Sequence, residues 1–244
     1  MKVDGSISSQ YRDYSRYDAR RRQEYHARQH RRGVSARASR RRAPKRKAIL
    51  LVVLVTLVGM FVAMSLETQG CAPVSTPVSQ WERGEMPYLY QTDAQWANKR
   101  YAGDTIGKSG CGPTCLSMAY IMLTGDKGYG PVEMARYSEE QGYVMDGATA
   151  WALMTDGADG LGISGREIPA SPSVVSSELE DGHPVICSMR PGDFTTTGHF
   201  IVLSGMDDDG HVRVHDPNSV ANSKKAWSLD TVLEQCKGIW ALSA

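Results

Sequence analysis

"SGCGPTCLSMAY", residues 109–120, sets the reading of everything around it. Two cysteines stand four apart, the first is wedged between glycines, and an apolar run follows. Gly110 and Gly112 allow a sharp turn and close backbone approach, and Pro113 suits the first turn of a helix. Residues 113–123 therefore read as a helix, with Leu116, Ala119, Ile121 and Leu123 among its apolar positions and Gly125 as its stop. A thiol at a helix N-terminus feels the positive end of the macrodipole, which lowers its pKa from about 8.5 and favours the thiolate. That describes Cys111. Cys115 lies one turn deeper, where a thiol behaves as a small buried hydrophobe. A Cys111–Cys115 redox pair is the weaker reading, because the spacer is three residues rather than two and no thioredoxin-like strand precedes it.

The 244 residues carry a net charge of +1, which hides two opposite halves. Residues 1–47 hold 16 Lys/Arg against 4 Asp/Glu, leaving 12 against 23 for the remainder. With almost no aliphatic residues before Ala48, the first segment cannot bury enough apolar surface to offset chain entropy, so a disordered basic tail is expected. "AILLVVLVTLVGMFVAMSL", residues 48–66, follows without a charge. Nineteen helical residues rise roughly 28 Å, close to the hydrocarbon thickness of a bilayer. The basic region is too long for a signal peptide and "LETQGC" offers no small-x-small cleavage site, so a transmembrane helix is expected. Arg83 is the only basic residue in the 20 that follow the span. The positive-inside rule then puts residues 1–47 in the cytoplasm and the rest outside, so the arginines serve topology and anionic lipid rather than nucleic acid.

Beyond the span, the Pro/Ser/Thr-rich residues 67–84 read as a stalk and residues 85–244 as one extracellular domain. Helical patterns cover 131–141, 148–155, "SPSVVSSELEDG" and about 228–235. Strand patterns cover 184–189, 199–205, 211–215 and 238–243. Helices first and strands later predict an α+β fold, N-terminal helices on a mostly antiparallel sheet. In "SGMDDDGHVRV" an Asp/Gly turn joins two strands as a hairpin that brings His199 and Asp216 within a residue or two of direct opposition. Alternation puts Asp216 on the inward face with Val212 and Val214, and His211, Arg213 and His215 on the other. An inward carboxylate needs a partner, and the imidazole of His199 supplies one. A histidine so held needs a nucleophile, and Cys111 is the best candidate.

The blocks "QTDAQW" (91–96), "GKSGCGPTCLSMAY" (107–120), "GHPVI" (182–186), "GHFIVLSGMDDDG" (198–210) and "DPNS" (216–219) occur in that order. Together they resemble the papain-fold cysteine peptidases related to the bacteriocin-processing, double-glycine leader peptidases, and more closely their secreted or membrane-anchored bacterial branch. The resemblance covers roughly residues 85–244. It implies a papain-like fold, Cys111 as nucleophile, His199 as general base and acid, and Asp216 as the residue orienting His199. Leader peptidases carry an oxyanion-hole Gln only a few residues before the Cys; here the nearest, Gln95 and Gln91, lie 16 and 20 before, and Gln91 is the choice. Leader peptidases also act in the cytoplasm fused to exporters, so leader cleavage is not carried over to an outward-facing domain.

The expected activity is hydrolysis of peptide or amide bonds in a peptide, protein or peptidoglycan substrate, with no cofactor. Two alternatives stand: a silent papain-fold module binding cell-wall or peptide ligands, and an acyltransferase using the same thiol. His211 and His215 are expected on the strand surface, roughly 13 Å apart and too far for one metal ion. "DDDG" lacks the spacing of a calcium loop and its closing Glu, so no metal site is expected. His183 is expected to be structural. Cys71, Cys115, Cys187 and Cys236 form an even set that an oxidising compartment could pair.

Overall fold

The computed structural model of the chain describes residues 53–56 and 72–244. The basic tail 1–47 and most of the expected span 48–66 lie outside the described residues; residues 53–56 are helical. Among the described residues no helix is long and apolar enough to cross a membrane. The chain divides into two units, Met1–Gly70 and Cys71–Ala244, and the second carries all that follows.

Among its described residues there are nine strands, seven α-helices and two 3₁₀ turns. Two short hairpins, β1 (Arg100–Tyr101) with β2 (Asp104–Thr105) and β3 (Val144–Met145) with β4 (Ala148–Thr149), stand apart from the main sheet. The main sheet runs β5 (Ser164–Glu167), β9 (Cys236–Ser243), β6 (Val185–Met189), β7 (His199–Met206), β8 (Val212–His215), with every neighbouring pair antiparallel. The helices are α1 (Ile106–Ser109), α2 (Cys111–Thr124), α3 (Pro131–Glu140), α4 (Asp156–Gly160), α5 (Pro172–Glu180), α6 (Val220–Lys224) and α7 (Leu229–Leu233).

The sheet is covered on both faces. Leu116, Ala119 and Ile121 of α2 pack with Ile186, Phe200, Val202 and Trp240 on one side. Val175 and Leu179 of α5 and Val232 of α7 pack with Cys187, Ile201, Leu203 and Val214 on the other. This is why "VICSM" of β6 is an unbroken buried run: a strand covered twice has no solvent face and loses its polar alternation. The N-terminal helices therefore cover only half of the sheet; later helices cover the other half.

Two boundaries differ from the sequence reading. Residues 148–155 are not one helix but strand β4 followed by a 3₁₀ turn, Trp151–Met154. The cause is the Asp146–Gly147 pair, both at positive φ (51° and 75°), which turns β3 back into β4. The stalk is not free throughout: Ser75 and Trp81 are buried, and Trp81 Nε1 donates to the Thr76 carbonyl at 2.9 Å. A large apolar ring with one polar handle finds its cover in the core, and it draws its flanking residues onto the domain. Further clasps follow, Ser75 N to Asp93 Oδ2 at 2.7 Å and Gly84 N to the Met122 carbonyl at 2.8 Å.

Candidate active site

Cys111 is the first residue of the 14-residue α2, where backbone N–H groups have no carbonyl partner within the helix. The glycines beside it are needed for closeness. Gly110 has φ −87°, which any residue can adopt, but a Cβ there would lie 2.6 Å from the Ile106 carbonyl oxygen. A Cβ on Gly112 would lie 2.6 Å from Thr149 Cγ2. So α1 and the β3–β4 hairpin press against the helix start and leave room for one side chain, that of Cys111.

His199 begins β7 and Asp216 follows the last residue of β8. Val202 faces His215 and Leu203 faces Val214, so the register puts Ile201 opposite Asp216. His199 is thus a diagonal neighbour, two residues from direct opposition and on the same face. The gap closes through the side chains: His199 Nε2 donates to Asp216 Oδ1 at 2.7 Å, in a setting where both side chains are buried. That leaves Nδ1 for the thiol of Cys111. Asp216 is held from its other side as well. Asn218 N donates to Oδ1 at 2.8 Å, Asn222 Nδ2 donates to Oδ2 at 2.8 Å, and Asp216 N donates to Ser223 Oγ at 3.0 Å. Every carboxylate oxygen is therefore occupied, which fixes the orientation of the group.

Burial works against ionising the Cys111 thiol, yet its pKa is lowered, because the hydrogen bond and charge of His199 and the N–H groups of Phe200 and Gly112 outweigh it. Burial equally disfavours a charged His199, but Asp216 and then Cys111 raise it from 6.5 to about 9. Each shift favours the charged form of its group, the thiolate at Cys111 and the imidazolium at His199. Cys115, fully buried one turn deeper, moves the opposite way: burial first, then the charges of Cys111 and Asp216, push its thiol well above the ordinary value.

Gln91 is tied to this group through the residue after Asp216. Its backbone N–H donates to the Pro217 carbonyl at 2.7 Å and its Nε2 donates to the Gly107 carbonyl at 3.0 Å. Its Oε1 is buried and unpartnered. His215 differs from expectation: it is buried, not on the surface. Its ring stacks on Tyr88 at 4.2 Å and its Nε2 meets Ser204 Oγ at 2.9 Å. The cause is the N-terminal segment that crosses β8 and covers what a strand pattern alone reads as an exposed face. His183 Nδ1 pairs with Glu178 Oε2 at 2.9 Å, and Glu178 also pairs with Arg166. Asp207, Asp209 and His211 bring ligand-type atoms within 4.8 Å of one another in the β7–β8 turn, but two of the three are exposed, and Asp207 already accepts the Asp209 and His211 amides. Cys111, Cys115, Cys187 and Cys236 are free thiols, and Cys71 lies outside the described residues. Asn222 was not legible as a partner of Asp216. The cap at Ser219, whose Oγ accepts the Asn222 amide at 3.1 Å, was the available signal.

A cysteine at a helix start facing a carboxylate-held histidine at a strand start is the arrangement of a papain-like thiol enzyme. The chain belongs to the Peptidase_C39 like family, whose sequence model matches residues 84–243. That family is related to the bacteriocin-processing peptidases, as the quoted blocks implied. No curated protein matches the chain. Among solved structures, the peptidase domain of Streptococcus ComA, a bifunctional ABC transporter of a quorum-sensing pathway, is 19% identical, with 55% of this chain and 90% of that one covered and a TM-score of 0.40. A C39-like peptidase from Bacillus anthracis is 16% identical, with 69% and 98% covered and a TM-score of 0.36.

Proposed function

We propose that the chain is a cysteine peptidase held at the outer face of a bacterial cell membrane by the span 48–66, its catalytic domain extracellular. Cys111 Sγ attacks the carbonyl carbon of a peptide or amide bond. His199, already protonated, gives its proton to the leaving amine and then takes one from the water that hydrolyses the acyl-enzyme. Asp216 fixes the imidazole so that Nδ1 meets the thiol, and stabilises its positive charge. The Cys111 backbone N–H supports the oxyanion. Gln91 joins it by turning its Nε2 from the Gly107 carbonyl. The substrate is a peptide, a protein or the peptide part of peptidoglycan.

The observation that carries this reading is the buried His199, held by Asp216 through Nε2 at 2.7 Å, with the Cys111 thiol as the other group that raises its pKa. The test is digestion of a peptide library by full-length protein and by Cys111→Ala, with iodoacetamide labelling at pH 6 alongside. Cleavage by the wild type alone, and faster alkylation of Cys111 than of Cys115, are expected. Equal labelling of the two thiols sinks the assignment.

A further inference from the structure

Of the five tryptophans in the chain, Trp81, Trp96, Trp227 and Trp240 are buried, whereas Trp151 is 45% exposed. Its position is tied to Cys111 along two routes. Along the chain, it stands two residues after Thr149, which presses on Gly112 beside the thiol. Tyr101 Oη, at 2.8 Å from Thr149 Oγ1, and Ala150 N, donating to the Tyr143 carbonyl at 2.9 Å, lock that approach. Across the sheet, the Trp151 ring lies over Gly238: a Cβ there would meet Trp240 at 2.6 Å and Trp151 at 3.3 Å. Gly238 faces Ser188 and Ser188 faces Phe200, whose N–H donates to the Cys111 thiol.

Trp151 therefore shares a sheet face with the thiol, displaced by two strand spacings, about 10 Å at ~4.8 Å each. An extended peptide advances roughly 3.4 Å per residue, so a residue two or three positions from the scissile bond comes level with the indole. What awaits it is apolar. Trp151 is braced at 5.3 Å by Trp240 in an edge contact, Phe200 lies behind Trp240 at 6.3 Å, and Met145 stands exposed on the hairpin that leads to Trp151. A braced ring loses little freedom when covered and gains from every apolar atom it removes from water.

We propose that Trp151 determines the specificity of the Cys111 site by holding an aromatic or branched aliphatic side chain of an extended peptide substrate, two or three residues from the bond that is cut. This rests on the peptidase reading above.

The experiment uses full-length wild type, Trp151→Ala and Trp151→Leu against decapeptides in which Phe, Leu, Ser or Asp is placed at each position in turn. At one position two or three from the cut, the wild type prefers Phe and Leu over Ser and Asp by about tenfold to a hundredfold, expressed in KM. Trp151→Ala removes that preference. Trp151→Leu, which keeps apolar cover over Trp240, loses the preference for Phe and retains that for Leu. The rate of Cys111 alkylation is the same in all three, which separates subsite loss from misfolding. Identical preferences in wild type and both variants overturn the inference and leave the peptidase reading standing. If the wild type cuts no peptide, the peptidase reading fails, and binding of the same peptides to Cys111→Ala decides the subsite: tighter binding of Phe and Leu that is lost on adding Trp151→Ala supports it, and equal or absent binding overturns it. A preference governed by the sugar of a cell-wall fragment, with no dependence on an apolar residue, overturns it too.

Discussion

His199 and His215 sit on neighbouring strands, both buried, and they titrate in opposite directions. His199 is raised to about 9 and His215 is lowered to about 4. Burial penalises the cation at both. At His199 it is outweighed by Asp216 and by the thiol of Cys111. At His215 the ring meets a serine hydroxyl and a tyrosine face, which solvate the neutral form, and the Arg213 charge adds to the penalty. Depth alone therefore says nothing about the charge of a histidine; the sign of its partner decides. One of the pair is built to be charged at neutral pH and the other to stay neutral.

The largest test of that contrast is to delete the charged member. His199→Ala is expected to lower the turnover of any substrate by roughly 10⁴-fold, and to slow alkylation of Cys111 at pH 6 to the rate of an ordinary thiol. Next comes the partner. The wild-type rate falls as pH rises through about 9, where His199 loses its proton. Asp216→Asn withdraws the main support of that proton, so a rate loss of about 10²–10⁴ is expected with the alkaline limb moved to lower pH. An unmoved limb would assign the proton to another group. For His215 the sign reverses. Its folded pKa lies below 6.5, so the stability that it brings is present above pH 6.5 and is lost as pH falls towards 4. The loss is roughly 3 kcal/mol, and His215→Gln flattens the difference between urea midpoints measured at pH 7 and pH 4.5. Smallest is Asn222→Ala, which strips one donor from Asp216 Oδ2; a stability loss of about 1–2 kcal/mol is expected by urea unfolding.

Much of this could be read from the sequence wherever local pattern and tertiary context agree. The helix after Cys111, the four later strands and the Asp/Gly turn between β7 and β8 are signalled by short-range chemistry and occur where expected. The approach of His199 to Asp216 was legible because a hairpin fixes separation once its turn is found, whereas no spacing ties Cys111 to them and it entered only as the best candidate nucleophile. The misses have different causes, and the first is cover supplied from far along the chain. His215 alternates like a surface residue, and only the segment around Tyr88 buries it. Strand β5 has the burial of a sheet edge and no apolar run to announce it. The β3–β4 hairpin carried its Asp-Gly signal, but the apolar residues after it imitate a helix. Gln91 is brought beside Asp216 by a backbone bond to Pro217, and no spacing in the sequence encodes that bond.

The clasp made by Ser75 and Trp81 changes where this domain can be cut. The family model begins at residue 84, beyond both. A fragment trimmed to that boundary would leave an empty socket where the indole sat and strip Asp93 of the Ser75 amide. The same Asp93 anchors the turn that follows Tyr90 and Gln91. The smallest piece able to stand alone therefore begins some ten residues before the homology does, and those residues belong to the folded body as fully as the strand that bears His199.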